Sequence, residues 1–183
     1  MPVWTEIERS SSPMARRLYR WWIEHRGPVA SGGVVSGGVV SGGADIPDRD
    51  ALHPEDLLPI LPNILISELE PDPFRVRYRL VGTRVVTVVG FDFTGRYLDE
   101  LQPDPITVPW VDYYRTVAET RGPLMGSVTV PAKAGGALHY EFAIFPLRRG
   151  GDAVAQFVAV EDYLGSEIAS AQWSHNWSRQ GWR

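Results

Sequence analysis

The alternation in Phe74–Val81, FRVRYRLV, constrains the fold of this chain more than any other feature. Phe74, Val76, Tyr78 and Leu80 recur with period two, and Arg75, Arg77 and Arg79 fill the positions between them. No helical face collects either set. A strand with one buried and one wet face separates them cleanly, so the segment predicts a half-buried antiparallel strand. Gly82 breaks it. Thr83–Val89 is short and apolar, Asp92-Phe93-Thr94-Gly95 reads as a tight turn, and Tyr97–Leu101 as about one helical turn. In that turn Asp92 or Thr94 is placed to cap the helical turn after it. This order builds a pocket wall. Residues 74–101 hold no histidine, no serine nucleophile and no glycine-rich phosphate cradle.

The flanking segments extend the pattern. His53–Leu58 opens a short helix, closed by Pro59 and Pro62, and Asn63–Leu69 has strand composition. The turn Glu70-Pro71-Asp72-Pro73 joins this strand to the alternating one as a hairpin. Val108–Arg121 is a fuller helix with Val111, Tyr114, Val117 and Ala118 on one face, stopped by Gly122-Pro123. Three strands come next, Leu124–Pro131, Leu138–Leu147 and Ala153–Glu161, with hairpin signals at Gly135-Gly136 and Gly150-Gly151. Two hairpin-like groups around a helical crossover predict an α+β fold, an antiparallel sheet with its short helices on one face.

Before this body, Ser12-Pro13 is a helix start with serine as cap. Met14, Leu18, Trp21 and Trp22 then recur at helical spacing, away from Arg16, Arg17 and Arg20. Pro13–His25 therefore predicts an amphipathic helix that covers a sheet or a dimer partner. Lying on a membrane surface is the alternative for a basic, tryptophan-bearing helix. Residues 31–43 repeat SGGVV and read as a flexible linker or an expanded insertion. The expected organisation is a flanking helix at 1–30, the repeat linker at 31–44, a compact domain at 45–162 and a tail at 163–183. In the tail, Ile168, Trp173 and Trp177 mark a marginal helix, a packing contact or an unstructured end.

Charge and cysteine usage bound the function. The chain has net charge −4, and the acidic side chains concentrate in 45–162 while 1–44 is basic. An acidic body repels phosphate backbones, so nucleic-acid binding is not expected. Cysteine is absent, which excludes disulfides, thiolate metal sites and thiol nucleophiles. No apolar run is long enough to span a bilayer and no secretory signal stands out, so a cytoplasmic protein is expected.

The order of two strands, several short helices, one longer helix and three strands resembles a PAS domain. More specifically, FRVRYRLVGT (74–83) and GFDFTGRYLDEL (90–101) resemble an alphaproteobacterial single-PAS subfamily, in which a strand ending RLVGT precedes a G-x-D-x-T-G turn. Pro47-Asp48-Arg49-Asp50, Leu58–Asn63 and the tryptophan-bearing helix resemble its lead-in. The repeat at 31–43 departs from the pattern. The resemblance implies a five-stranded antiparallel sheet with helices over one face, a small enclosed cavity, and a role in signal sensing or protein interaction, often as a homodimer. The motif residues Arg79, Gly82, Thr83, Gly90, Asp92, Thr94, Gly95 and Asp99 are expected to be structural. Gly82 and Gly90 would supply unusual backbone angles, Thr94-Gly95 a turn, and Arg79 with Asp99 an ion pair between sheet and helix.

The expected cavity is lined by Tyr78, Leu80, Val85, Tyr97, Tyr114, Val117, Phe142 and Ile144, and plain core is the competing reading. Tyrosines favour a cavity, because a buried hydroxyl needs a partner. The ligand and cofactor are unknown. Covalent flavin or coumarate is excluded by the lack of cysteine. Haem is not expected: His25, His53 and His175 lie elsewhere, and His139 points away from Tyr140, Phe142 and Ile144. Non-covalent flavin stays open. No metal site is expected, since Asp99-Glu100 and Glu161-Asp162 read as solvated pairs. An α+β enzyme using His139 with Glu141 or Asp112 as base is the first alternative. The second is a purely structural dimerisation domain, with Phe145, Phe157 and Ala159 on the outer sheet face. Without an attached output segment, any signal would pass to a separate signalling partner or through dimer rearrangement.

Overall fold

The computed structural model describes residues 1–27, 46–101, 108–132 and 137–164. The repeat linker, Gly135-Gly136, His175 and the tryptophans of the tail lie outside them. In chain order the elements are β1 (Val3–Trp4), α1 (Pro13–Glu24), α2 (Pro54–Leu57), β2 (Ile64–Pro71), β3 (Phe74–Val81), α3 (Thr83–Val89), α4 (Trp110–Thr120), β4 (Leu124–Pro131), β5 (Ala137–Arg148) and β6 (Val154–Asp162). The strands form one antiparallel sheet in the order β1-β4-β5-β6-β2-β3. The fold is the expected α+β one, with a sixth strand where five were expected. That strand is β1, in which Val3 and Trp4 pair with Gly126 and Met125. Two residues carry no periodicity, so sequence pattern has no means of finding it.

The sheet is buried on both faces. On one face, α3 and α4 pack over β2–β6, joining Val85, Val88, Tyr114 and Val117 to Leu65, Tyr78, Tyr140, Phe142, Ile144 and Phe157. On the other, α1 and α2 bring Ala15, Leu18, Trp21, Trp22 and Leu57 against Met125, Ala143, Phe145, Leu147, Val158 and Val160. The outer face is thus covered by the chain's own helix. Phe145 belongs to it as expected, but Phe157 and Ala159 face α3 and α4 instead. Phe157 stands opposite Ser67, and Ala159 opposite Leu65 and Ile144. Phe157, Val158, Ala159 and Val160 are all at most 3% exposed. A strand buried on both sides shows no alternation from which its phase can be read.

Two devices hold α1 in place. Trp22 is fully buried and its indole Nε1–H donates to the Pro146 carbonyl at 2.9 Å. Pro146 sits past the last β4–β5 pair, Leu124 with Ile144, so a proline there costs no ladder hydrogen bond on that side. The second device is a serine staple. Ser12 caps α1, accepting from the Ala15 N–H at 2.9 Å, while its own hydroxyl donates to Asp162 Oδ2 at 2.7 Å. Glu141 accepts from the Ser10 hydroxyl at 2.6 Å, from the Ser12 N–H at 3.1 Å, and from both the N–H and the hydroxyl of Ser11. Burial alone would raise the Glu141 pKa, but these donors outweigh it and lower the pKa below the ordinary value.

Removing residues 1–26 strips the cover from Phe145, Leu147, Val158 and Val160. The shortened chain should associate into higher-mass species or lose its cooperative urea transition. Light scattering of the two chains checks this. A shortened chain that stays monomeric and folds as stably as the full one would contradict the role given to α1.

Candidate functional site

Sequence and strand geometry together place a cavity of about 60 Å³ between the sheet and the helical layer. The sheet contributes Leu65, Tyr78, Tyr140, Phe142, Ile144, Ala159 and Glu161, and the helical side contributes Val89, Phe91, Phe93, Leu98, Leu101, Trp110 and Tyr114. Of the expected lining residues, Tyr78, Tyr114, Phe142 and Ile144 meet around this space. Val85 and Val117 lie in the core of the same layer, fully buried, but do not line the cavity.

Leu80 and Tyr97 are elsewhere, for reasons the ladder explains. Tyr78 stands opposite Ser67, yet Leu80 stands opposite Ile66, so β3 carries one extra residue, Arg79. This bulge reverses the alternation, and Leu80 shares the outer face with Ile66 at 37% exposure. Tyr97 bridges to Arg77 on the far side of edge strand β3. There its ring lies under the Arg75 guanidinium, 3.6 Å from the ring centroid, and its hydroxyl donates to Glu70 Oε1 at 2.8 Å.

The motif residues shape the wall. The carboxylate Oδ1 of Asp92 accepts from the Thr94 N–H at 2.9 Å and the Thr94 hydroxyl at 2.7 Å. Gly95 then takes a left-handed φ of 87° and donates to the Tyr78 carbonyl at 2.8 Å. The turn so fixed drops Phe93 edge-on to Tyr78, with ring centroids 4.8 Å apart. Gly90 ends α3 with φ 96°. Gly82, by contrast, has an ordinary φ of −63°. It is required for space: a Cβ there would sit 2.3 Å from the Pro62 carbonyl oxygen. Thr83 opens α3, and its carbonyl accepts from the Thr87 hydroxyl at 2.8 Å. The anticipated Arg79–Asp99 pair does not form. Asp99 pairs with Arg75 at 3.0 Å, and Arg79 pairs with Glu68, because the bulge turns Arg79 toward β2.

The polar end of the cavity was not legible as such. Glu161, read from sequence as solvated, holds its carboxyl among the side chains of Tyr78, Tyr114, Tyr140 and Tyr163, each of which its charge reaches. Burial pushes its pKa up to about 7, although the Tyr163 hydroxyl donates to it and pulls the other way. Its neighbour Asp162 is buried on the opposite face against Ser12. The Tyr114 hydroxyl bonds to Ser67 and Tyr78. Burial pushes the Tyr114 pKa up to about 12 and the Tyr78 and Tyr140 pKa values well above the ordinary value, so all three stay neutral. The Tyr140 hydroxyl is buried with no hydrogen-bond partner among the described residues. An unpaired buried hydroxyl costs on the order of 1–3 kcal/mol, which a ligand or water would recover.

The arrangement opposes the catalytic reading. His139 is exposed and its Nδ1 is bonded to the Thr129 hydroxyl at 2.8 Å. Glu141 is committed to the serines, and Asp112 lies on α4, on the other side of the sheet. Among the described residues, no three histidines, aspartates or glutamates cluster as metal ligands, and no helix is long and apolar enough to cross a membrane.

Because its carboxyl holds a proton to about pH 7 in the folded state and only to about pH 4.3 unfolded, Glu161 makes stability fall as pH rises between those values. Replacing it by glutamine should remove that fall. Glu161→Gln should gain on the wild type by about 3–4 kcal/mol between about pH 4 and about pH 8 in urea unfolding. A difference that does not change with pH would contradict the enclosed carboxyl.

No curated protein matches the chain. Several solved structures are similar in part. One is a light-oxygen-voltage domain studied with a flavin analogue, 23% identical over 58% of this chain and 80% of that one, with a TM-score of 0.45. Another is the dark structure of the blue-light photoreceptor Aureochrome1 LOV, 16% identical over 75% and 92% of the two chains, TM-score 0.46. The Rhodobacter sphaeroides LOV protein is 13% identical over 60% and 62%, TM-score 0.44. The PAS domain profile matches residues 12–160, which takes in α1 and nearly the whole sheet, and the chain belongs to the PAS domain family.

Proposed function

We propose that this protein is the sensing element of a bacterial signalling system, working in the cytoplasm, which takes a small ligand into the cavity between the sheet and α4. The observation that carries this reading is the buried Tyr140 hydroxyl, without a hydrogen-bond partner among the described residues, beside the Glu161 carboxyl in an otherwise apolar cavity. An apolar pocket with a few convergent polar groups and a strongly shifted acid is the pattern of a recognition site. The RLVGT and GxDxTG segments support placement in the alphaproteobacterial single-PAS subfamily.

The chemistry is recognition without turnover. Among the described residues, no side chain pairs a nucleophile with a base at the cavity. Covalent flavin or coumarate chemistry lacks its cysteine. At about 60 Å³ the cavity is well below the roughly 150 Å³ that holds benzene in an engineered protein core. A three-ring flavin or a haem therefore needs an outward movement of the helical layer, whereas a ligand of a few heavy atoms does not. A second copy of the chain or a signalling partner would meet the α1 side, where Ile23 and Leu58 are exposed beside Arg16, Arg17 and Arg20.

Native mass spectrometry of protein purified from its own host, paired with melting shifts on a library of small molecules, tests this. A bound small molecule or a saturable stabilisation is expected, and Ala159→Leu, which projects into the cavity, should abolish it. Absence of both from protein whose cavity is filled by its own side chains would end the sensing role given to the cavity.

A further inference from the structure

The chemistry of the cavity lining narrows its ligand more than size does, an inference that rests on the ligand-binding role proposed for the cavity. We propose that the cavity selects a small organic cation, a methylated or primary ammonium of a few heavy atoms, held by the Glu161 carboxylate and walled by aromatic rings. Three observations point to it. First, the one ionisable group in the lining that titrates near neutrality is an acid, and among the described residues no basic side chain lines the space. Second, Tyr78, Trp110, Tyr114, Tyr140 and Phe142 line it together, and Trp110 and Phe142 meet edge to face at 4.8 Å. Aromatic faces attract ammonium groups within about 6 Å of their centroids, most strongly when water is excluded. Third, the volume of about 60 Å³ admits a methylammonium-sized ion and little more.

Charge decides between cation, neutral molecule and anion. An anion would enter beside a carboxylate and be repelled. A neutral molecule leaves the Glu161 carboxylate without an opposite charge. A cation supplies the opposite charge that a buried carboxylate requires. The Tyr140 hydroxyl then accepts from an N–H of a primary or secondary ammonium.

The groups that face Glu161 are Tyr78 on β3, Tyr114 on α4, Tyr140 on β5 and Tyr163 after β6, all neutral near pH 7. Arg84 on α3 lowers the Tyr163 pKa slightly against the effect of burial. Only Glu161 therefore changes charge near neutrality, with its pKa raised to about 7. Ammonium binding needs the ionised carboxylate, so affinity should climb as pH rises through that value and then level off.

Melting temperatures and backbone-amide NMR shifts would be followed with methylammonium, dimethylammonium and trimethylammonium chloride, and with tert-butanol, acetate and sodium chloride as comparisons. At least one ammonium ion is expected to give saturable stabilisation, with shifts confined to the cavity residues. Glu161→Gln should weaken it at least about tenfold, the loss of a charge-assisted contact. Tyr140→Phe, which removes a single oxygen, should fold and bind dimethylammonium more weakly, and serves if the first variant does not fold. Stabilisation by tert-butanol equal to or above that of every ammonium ion would overturn the charge selection while leaving the small-ligand reading intact. Saturable ammonium binding undiminished in Glu161→Gln would also overturn it. No binding by any probe, neutral ones included, would remove this inference and the ligand-binding role together.

Discussion

The structure depends on the way β5 and β6 divide their acids between the two faces of the sheet. Side chains alternate along a strand, so consecutive carboxylates on β6 cannot share an environment. Glu161 points among the tyrosines and Asp162 points to Ser12. On the neighbouring strand, Tyr140 lines the cavity while Glu141 receives the serines. Phe142 stands opposite Glu161, and Glu141 opposite Asp162. One pair of strands therefore builds the polar end of the cavity and the anchor of α1 with residues next to each other in sequence.

Glu141, buried, and Glu161, half-buried with its carboxyl turned inward, have opposite chemistry because their donors differ. Glu141 receives hydroxyls and N–H groups from three successive serines, which favour the charged form and lower its pKa. Glu161 receives one hydroxyl, from Tyr163, and the cost of burial prevails. The first is a permanent anion that closes a structural joint. The second has its pKa raised to about 7 and so changes charge near neutrality.

Much of this was legible in the sequence and some of it could not be. The alternation of Phe74–Val81 placed β3, the apolar run placed α3 at Thr83–Val89, and Ser12-Pro13 placed the start of α1. Tyr78, Tyr114, Phe142 and Ile144 were legible as cavity candidates because their elements have a clear inner face. Leu80 was misplaced because a bulge at Arg79 shifts phase without a glycine to announce it. Gly82 was recognised as special for the wrong reason: a close approach to Pro62 depends on tertiary structure and leaves no local sign. Glu161 was missed because two consecutive acids near a strand end ordinarily lie in water. Only the pairing of β5 with β6 and the covering of both faces show that they do not.

Carbon-13 NMR titration of the glutamate side-chain carboxyls tests the central claim, that one strand pair holds two glutamate carboxyls in opposed environments. The account predicts that the Glu161 carboxyl titrates near pH 7 and the Glu141 carboxyl below pH 4.5, in the same folded protein. Both carboxyls titrating together near pH 4.5, as free glutamates do, would contradict it.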